Sequence, residues 1–191
     1  EWITDSDPTS QTMLEKTAQT LPSTKEVCDY LQHLIQLDKK STALKELQGI
    51  IWKQGYASGE LKSSLFPDVR PQLDHWKRNG LSLAVYSSGS IQAQKLLYGH
   101  TKEGDLTDRF SHWFDTRTGP KLVRQSYEII AQKLGLPAEQ VLFISDHPGE
   151  CDAAQLSGMN AVFCLRKGNP HQTPGTHHLI HQLSDVDLGK Y

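Results

Sequence analysis

The chain has 191 residues, 37% of them apolar and 22% charged, with a net charge of −2. That is long enough for a sizeable core and ordinary for a globular protein. Charges of both signs are interspersed, so nucleic acid is not expected as a partner. Nor is a membrane, because no apolar run approaches the roughly 20 residues of a span.

The start, Glu1-Trp2-Ile3-Thr4-Asp5-Ser6-Asp7, is acidic and polar and does not read as a secretion signal. The three cysteines, Cys28, Cys151 and Cys164, are widely spaced without a Cys-x-x-Cys pair. They read as free thiols in the reducing cytoplasm. Residues 1–23, rich in Thr, Ser, Asp and Gln, read as an irregular lead-in. Helical spacing then runs through Val27, Leu31, Leu34 and Ile35, and again through Leu44, Leu47, Ile51 and Trp52. Two helices with no strand between them make a small helical subdomain over 1–66. The second domain, 67–191, opens with a helix that Asp68 can cap and that Asn79-Gly80 ends.

Beyond Gly80 the texture changes. An apolar strand at 81–86 leads to a helix at about 90–99, and Trp113-Phe114 forms a short apolar piece. A helix at about 122–134 closes on Gly135. Val141-Leu142-Phe143-Ile144 is a strand, a helix covers about 150–157, and Ala161-Val162-Phe163-Cys164-Leu165 is a further strand. Uniformly apolar strands alternating with helices predict an α/β fold, a three-layer doubly wound parallel sheet. The tail is expected to close with a short helix near 176–183. Its His177, His178 and His181 have a spacing that can chelate metals, but they read as surface histidines. Cys164 and the tryptophans Trp52, Trp76 and Trp113 read as core. Arg166-Lys167-Gly168-Asn169 reads as a basic loop.

Ligands of such sheets bind at the carboxyl ends of the strands. There the sequence places Ser87-Ser88-Gly89-Ser90, whose small residues and hydroxyls suit an anion at the start of a helix. Asp115-Thr116-Arg117-Thr118-Gly119-Pro120-Lys121 follows the Trp113-Phe114 piece, with Lys121 read as opening a helix. Ser145-Asp146-His147 follows the next strand, with Glu150 and Asp152 after it. Singly, these are turn chemistry, a solvated lysine and a helix cap. Together, Ser87, Ser88 and Lys121 would hold a phosphate, and Asp146 would hold Mg²⁺, which prefers one or two carboxylates plus phosphate and water.

That order of residues resembles the haloacid dehalogenase superfamily of phosphotransferases, with Ser87, Lys121 and Asp146 matching its second, third and fourth motifs. More narrowly it is similar to the acireductone synthase (enolase-phosphatase) family of methionine salvage. The similarity lies in Thr42–Gly49, Val85–Ser90, Ala93–His100, His112–Thr116, Gly119–Lys121 and Leu142–Asp146, within about residues 40–170. The resemblance implies that Ser87 and Ser88 bind the phosphate, Lys121 neutralises it, and Asp146 ligates Mg²⁺. An aspartate nucleophile would accept the phosphoryl group before water hydrolyses the acyl phosphate. It further implies a small phosphorylated metabolite as substrate, a monomer, and a cap that includes the helices at 24–60. The substrate would be 2,3-diketo-5-methylthiopentyl-1-phosphate, enolised and then dephosphorylated to the acireductone. His147 is one candidate for the enolisation proton. Glu150 and Asp152 are both candidates for support behind the metal.

The family's first motif, Asp-x-Glu-Gly-Thr, does not occur in these residues. It carries the nucleophile on a central strand, between the strands that end in Ser87 and Asp146. A missing upstream segment explains this more simply than loss of the motif, because two apolar strands would otherwise keep open edges. The expectation is a gap, or direct pairing, between the strands near 82–86 and 141–145. Two alternatives stay open: a remnant that binds phosphate without turnover, and a phosphatase of the same superfamily acting on another small phosphorylated metabolite.

Overall fold

In a computed structural model of the chain, residues 23–191 are described, apart from 38 and 40; residues 1–22 of the expected lead-in lie outside them. The chain divides into two compact units after Glu60, six residues before the boundary drawn from the sequence. The first unit holds helices α1 (Thr24–Gln36) and α2 (Thr42–Ala57). A reciprocal capping box between Ser23 and Glu26 starts α1, and the Ser41 hydroxyl caps α2. Tyr30, Leu31 and Leu34 pack with Leu44 as its core. Trp52 was expected in a core, but it is 41% exposed, since this cluster reaches only the first turns of α2.

The second unit contains α3 (Val69–Arg78), β1 (Ala84–Tyr86), α4 (Ile91–Gly99), β2 (His112–Phe114), α5 (Arg124–Leu134), β3 (Leu142–Ser145), α6 (Pro148–Leu156), β4 (Asn160–Cys164) and β5 (His178–Ile180). Among the described residues these strands pair in parallel: β1 with β2, and β3 with β4 with β5. The core gathers around Tyr127, Cys151 and Phe163, each fully buried, with Phe114, Ile130 and Ala154. Burial pushes the Cys151 thiol up to about 12, which leaves it an inert core group, and Cys164 is buried as expected.

Several expectations change. The tail forms strand β5 rather than a helix, because Ile180, 1% exposed, fills the core beside Val162 while β5 pairs with the edge of β4. Nonlocal pairing outweighs the local histidine spacing there. The same tail buries His177 against Asp152 at 2.9 Å instead of leaving it in solvent. Lys121 lies in a turn three residues before α5, because Pro120 and the bond from Val123 N–H to Pro120 O shape a turn first. In addition, Asp68 sits at the start of α3 without capping it. Its carboxylate instead takes both arms of the Arg166 guanidinium, at 2.6 and 2.7 Å, and the N–H of Leu183 at 2.7 Å. Arg166 is thereby a fixed structural contact rather than part of a free basic loop.

Among the described residues β1 and β3 do not pair with each other and belong to separate sheets. A cavity of about 280 Å³ is bordered by both, with Leu83, Ala84, Phe143 and Ile144 among its walls. The expected gap between these strands is therefore present. Tyr127 bridges it edge-on, with ring centroids 5.7 Å from Tyr86 and 5.0 Å from Phe143.

Candidate active site

The serine turn leaves β1 at Ser87, which is half-buried, while Ser88 and Ser90 are exposed. Its shape is set from behind. Ser87 N–H donates to Phe114 O at 3.1 Å, holding the turn against the end of β2. Ser87 Oγ accepts the Gly89 N–H at 3.2 Å, so its own proton is left to donate elsewhere. Ser90 Oγ caps α4 at Ala93 N–H, 3.2 Å away. The turn therefore presents a hydroxyl donor and a helix N-terminus, a combination that favours an anion.

Two buried polar side chains complete this support, and the sequence reading passed over both roles. The Gln94 carboxamide donates to Gly89 O and to Phe114 O, each at 2.8 Å. Asp115 accepts the Ile91 N–H at 3.3 Å and the Arg117 N–H at 3.0 Å, and it pairs with the Arg117 guanidinium at 2.8 Å. That guanidinium, ahead of the backbone bonds, holds the Asp115 carboxyl below the usual carboxylate range. A glutamine one turn into a helix that opens on a serine loop was the available signal.

Lys121 lies beside Tyr86, the residue before this turn. Its ammonium is 5.7 Å from the centroid of the Tyr86 ring and 2.6 Å from Glu150 Oε2. Glu150 also accepts the Ser145 hydroxyl at 2.7 Å, so the end of β3, the first turn of α6 and the lysine loop form one connected cluster. Asp146, directly after β3, is exposed. His147 Nδ1 accepts the Gly149 N–H at 3.1 Å, which caps α6, and its ring lies 4.2 Å from that of His171.

The structure thus brings Lys121 and Glu150 together beside Tyr86 and Ser145, and Ser87 and Asp146 directly follow the strands β1 and β3 that carry those two residues. Asp152 does not join them. It lies two residues beyond Glu150, about 200° around the helix, and its carboxylate holds the buried His177. Among the described residues no group of three or more His, Cys, Asp or Glu side chains is clustered to hold a metal ion.

Comparison with known proteins places the chain in a family. Residues 13–158 match the haloacid dehalogenase-like hydrolases. Enolase-phosphatase E1 of Synechococcus sp. (strain WH7803) is 56% identical over 189 residues, which cover 98% of this chain and 78% of that protein. Enolase-phosphatase E1 of Parasynechococcus marenigrum (strain WH8102) is 51% identical over 98% of this chain and 77% of its own length. Among solved structures, the UTR4 protein of Saccharomyces cerevisiae superposes with a TM-score of 0.72 at 32% identity, over 94% of this chain and 81% of that one. CbbY from Rhodobacter sphaeroides, solved with phosphate, shares the fold alone, with a TM-score of 0.62 at 15% identity, over 87% of this chain and 81% of its own. The chain therefore belongs to the haloacid dehalogenase-like hydrolases and, within them, to the enolase-phosphatase E1 family.

Proposed function

We propose that this protein is the Mg²⁺-dependent enolase-phosphatase of methionine salvage, converting 2,3-diketo-5-methylthiopentyl-1-phosphate to the acireductone and phosphate. The observation that supports the reading is the Lys121–Glu150 pair, tied to the end of β3 through Ser145 and lying beside Tyr86, the residue directly before the Ser87 turn. Ser87 donates its free hydroxyl proton to a phosphate oxygen, and Ser88 lines the same turn. Lys121, with three ammonium protons and one partner in Glu150, keeps donors for the phosphate. Charge on a transferring phosphoryl group spreads over its oxygens, so fixed cations and donors at this edge lower the barrier.

Asp146 suits Mg²⁺ as the carboxylate of a site completed by substrate phosphate and water: it is exposed at the strand end, while Glu150 is already committed to Lys121 and Ser145. The metal, when bound, supplies positive charge against the phosphate oxygens. Neither strand-end carboxylate is placed to act as the nucleophile, since Asp115 is locked to Arg117 and Asp146 is assigned to the metal. Turnover is accordingly proposed for the complete gene product, and phosphate binding for these 191 residues. His147 is a poor candidate for the enolisation proton at Nδ1, which accepts a backbone N–H; Nε2 remains its available nitrogen.

The test is Mg²⁺-dependent phosphate release from the diketone phosphate by the complete gene product, with Asp146→Asn alongside. Loss of activity on that substitution is expected. Full activity would remove Asp146 from the metal site. Activity on an unrelated phosphate ester, with none on the diketone phosphate, would overturn the substrate assignment.

A further inference from the structure

Three consecutive carbonyls in the lysine loop each receive a hydrogen bond from a different side-chain hydroxyl. Tyr86 donates to Gly119 O at 2.8 Å, Ser126 to Pro120 O at 2.7 Å, and Tyr127 to Lys121 O at 2.7 Å. Loop carbonyls ordinarily meet water. These instead meet groups from the interior: Tyr127 is fully buried and Ser126 is 1% exposed. Burial raises the hydroxyl pKa of Tyr86 and of Tyr127, so both stay protonated as donors.

We propose that Tyr86, Ser126 and Tyr127 are positioning residues that fix the Lys121 backbone, and through it the ammonium, for anion binding. The inference rests on the phosphate-binding reading of Lys121. Residues 119–121 lie outside helix and strand, whereas the three hydroxyls come from β1 and α5, so the loop inherits their rigidity. Tyr86 acts twice, since its hydroxyl holds Gly119 O while its ring lies 5.7 Å from the ammonium. It also directly precedes Ser87, and so joins both anion-holding segments through one residue. Gly119 is the other half of the device. Its φ is +147°, and a Cβ there would overlap Ser126 Oγ and displace it from Pro120 O.

The test is a phosphorus-31 NMR titration of the 191-residue protein with inorganic phosphate, for Tyr86→Phe and Tyr127→Phe, each with Lys121 intact and with Lys121→Met. With Lys121 intact, each hydroxyl deletion is expected to weaken phosphate binding by about 3- to 10-fold. In the Lys121→Met background the same deletions are expected to cost nothing further, because they act through the ammonium. The Lys121 Cε resonance of lysine-labelled protein is expected to move with each deletion while the melting temperature stays nearly constant for Tyr86→Phe. Unchanged affinity and an unmoved resonance, or equal losses in both backgrounds, would overturn the positioning role alone. Lys121→Met that leaves phosphate affinity intact, or no phosphate binding by the parent protein, would overturn the phosphate reading and this inference with it.

Discussion

Two charge pairs in the second unit are alike in length and burial but differ in what they leave free. Arg166 and Asp68 meet through two bonds of 2.6 and 2.7 Å, with their side chains 12% and 14% exposed. Lys121 and Glu150 meet at 2.6 Å, with 24% and 11% exposed. The first pair is closed. Asp68 also takes the Leu183 N–H, and Arg166 lies 4.5 Å over the Phe66 ring, so the fork and one face of the guanidinium are used. The second is open, because an ammonium has three protons and Glu150 occupies one. A planar fork suits a permanent clasp between distant segments, and a compact ammonium suits a ligand that comes and goes.

Replacing each cation tests that contrast. Lys121→Met is expected to lower turnover of the complete gene product by roughly 100- to 1,000-fold, measured as phosphate release, with some loss of stability because Glu150 keeps only the Ser145 hydroxyl. A large fall in stability with activity retained would make this pair structural too. Arg166→Ala is expected to cost stability without the loss of phosphate handling. Uncovering Asp68 should cost about 2–3 kcal/mol, read from denaturant unfolding, while phosphate affinity changes by less than about twofold. Phosphate affinity falling as steeply as for Lys121→Met would erase the distinction.

The smallest expected effect is on acid stability. The Arg166 guanidinium, opposed by burial and helped by the Leu183 N–H, holds the Asp68 carboxyl below its ordinary value of 3.8. A carboxyl depressed in the folded state stabilises the fold above its unfolded pKa and loses that contribution as pH falls through the folded one. Parent protein should therefore lose stability below about pH 4, and Arg166→Met should flatten that part of the profile. Parallel profiles for the two proteins would assign the acid sensitivity to other carboxyls.

Much of the site's edge was legible because a buried parallel strand writes itself as an apolar run and ends where polar residues resume. Ser87 and Asp146 stand at such ends, and Lys121 completes a known order of motifs. The roles of Tyr86, Ser126 and Tyr127 were not legible. A buried tyrosine at a core position looks the same whether its hydroxyl holds a loop carbonyl or something else, and each acceptor lies on another segment. The choice between Glu150 and Asp152 was open for a similar reason. Two residues of helix decide it, and only the phase of α6 against β3 says which carboxylate faces Lys121.

The sequence by itself determined the alternation of strands and helices, the polar chemistry at the strand ends and the family, since these are written in local runs and their order. Tertiary structure alone decided that the tail pairs as β5, that His177 is buried on Asp152, and that Arg166 clasps Asp68. In each case the deciding partner lies 16 to 98 residues away, so the free energy that fixes the outcome is absent from any local window.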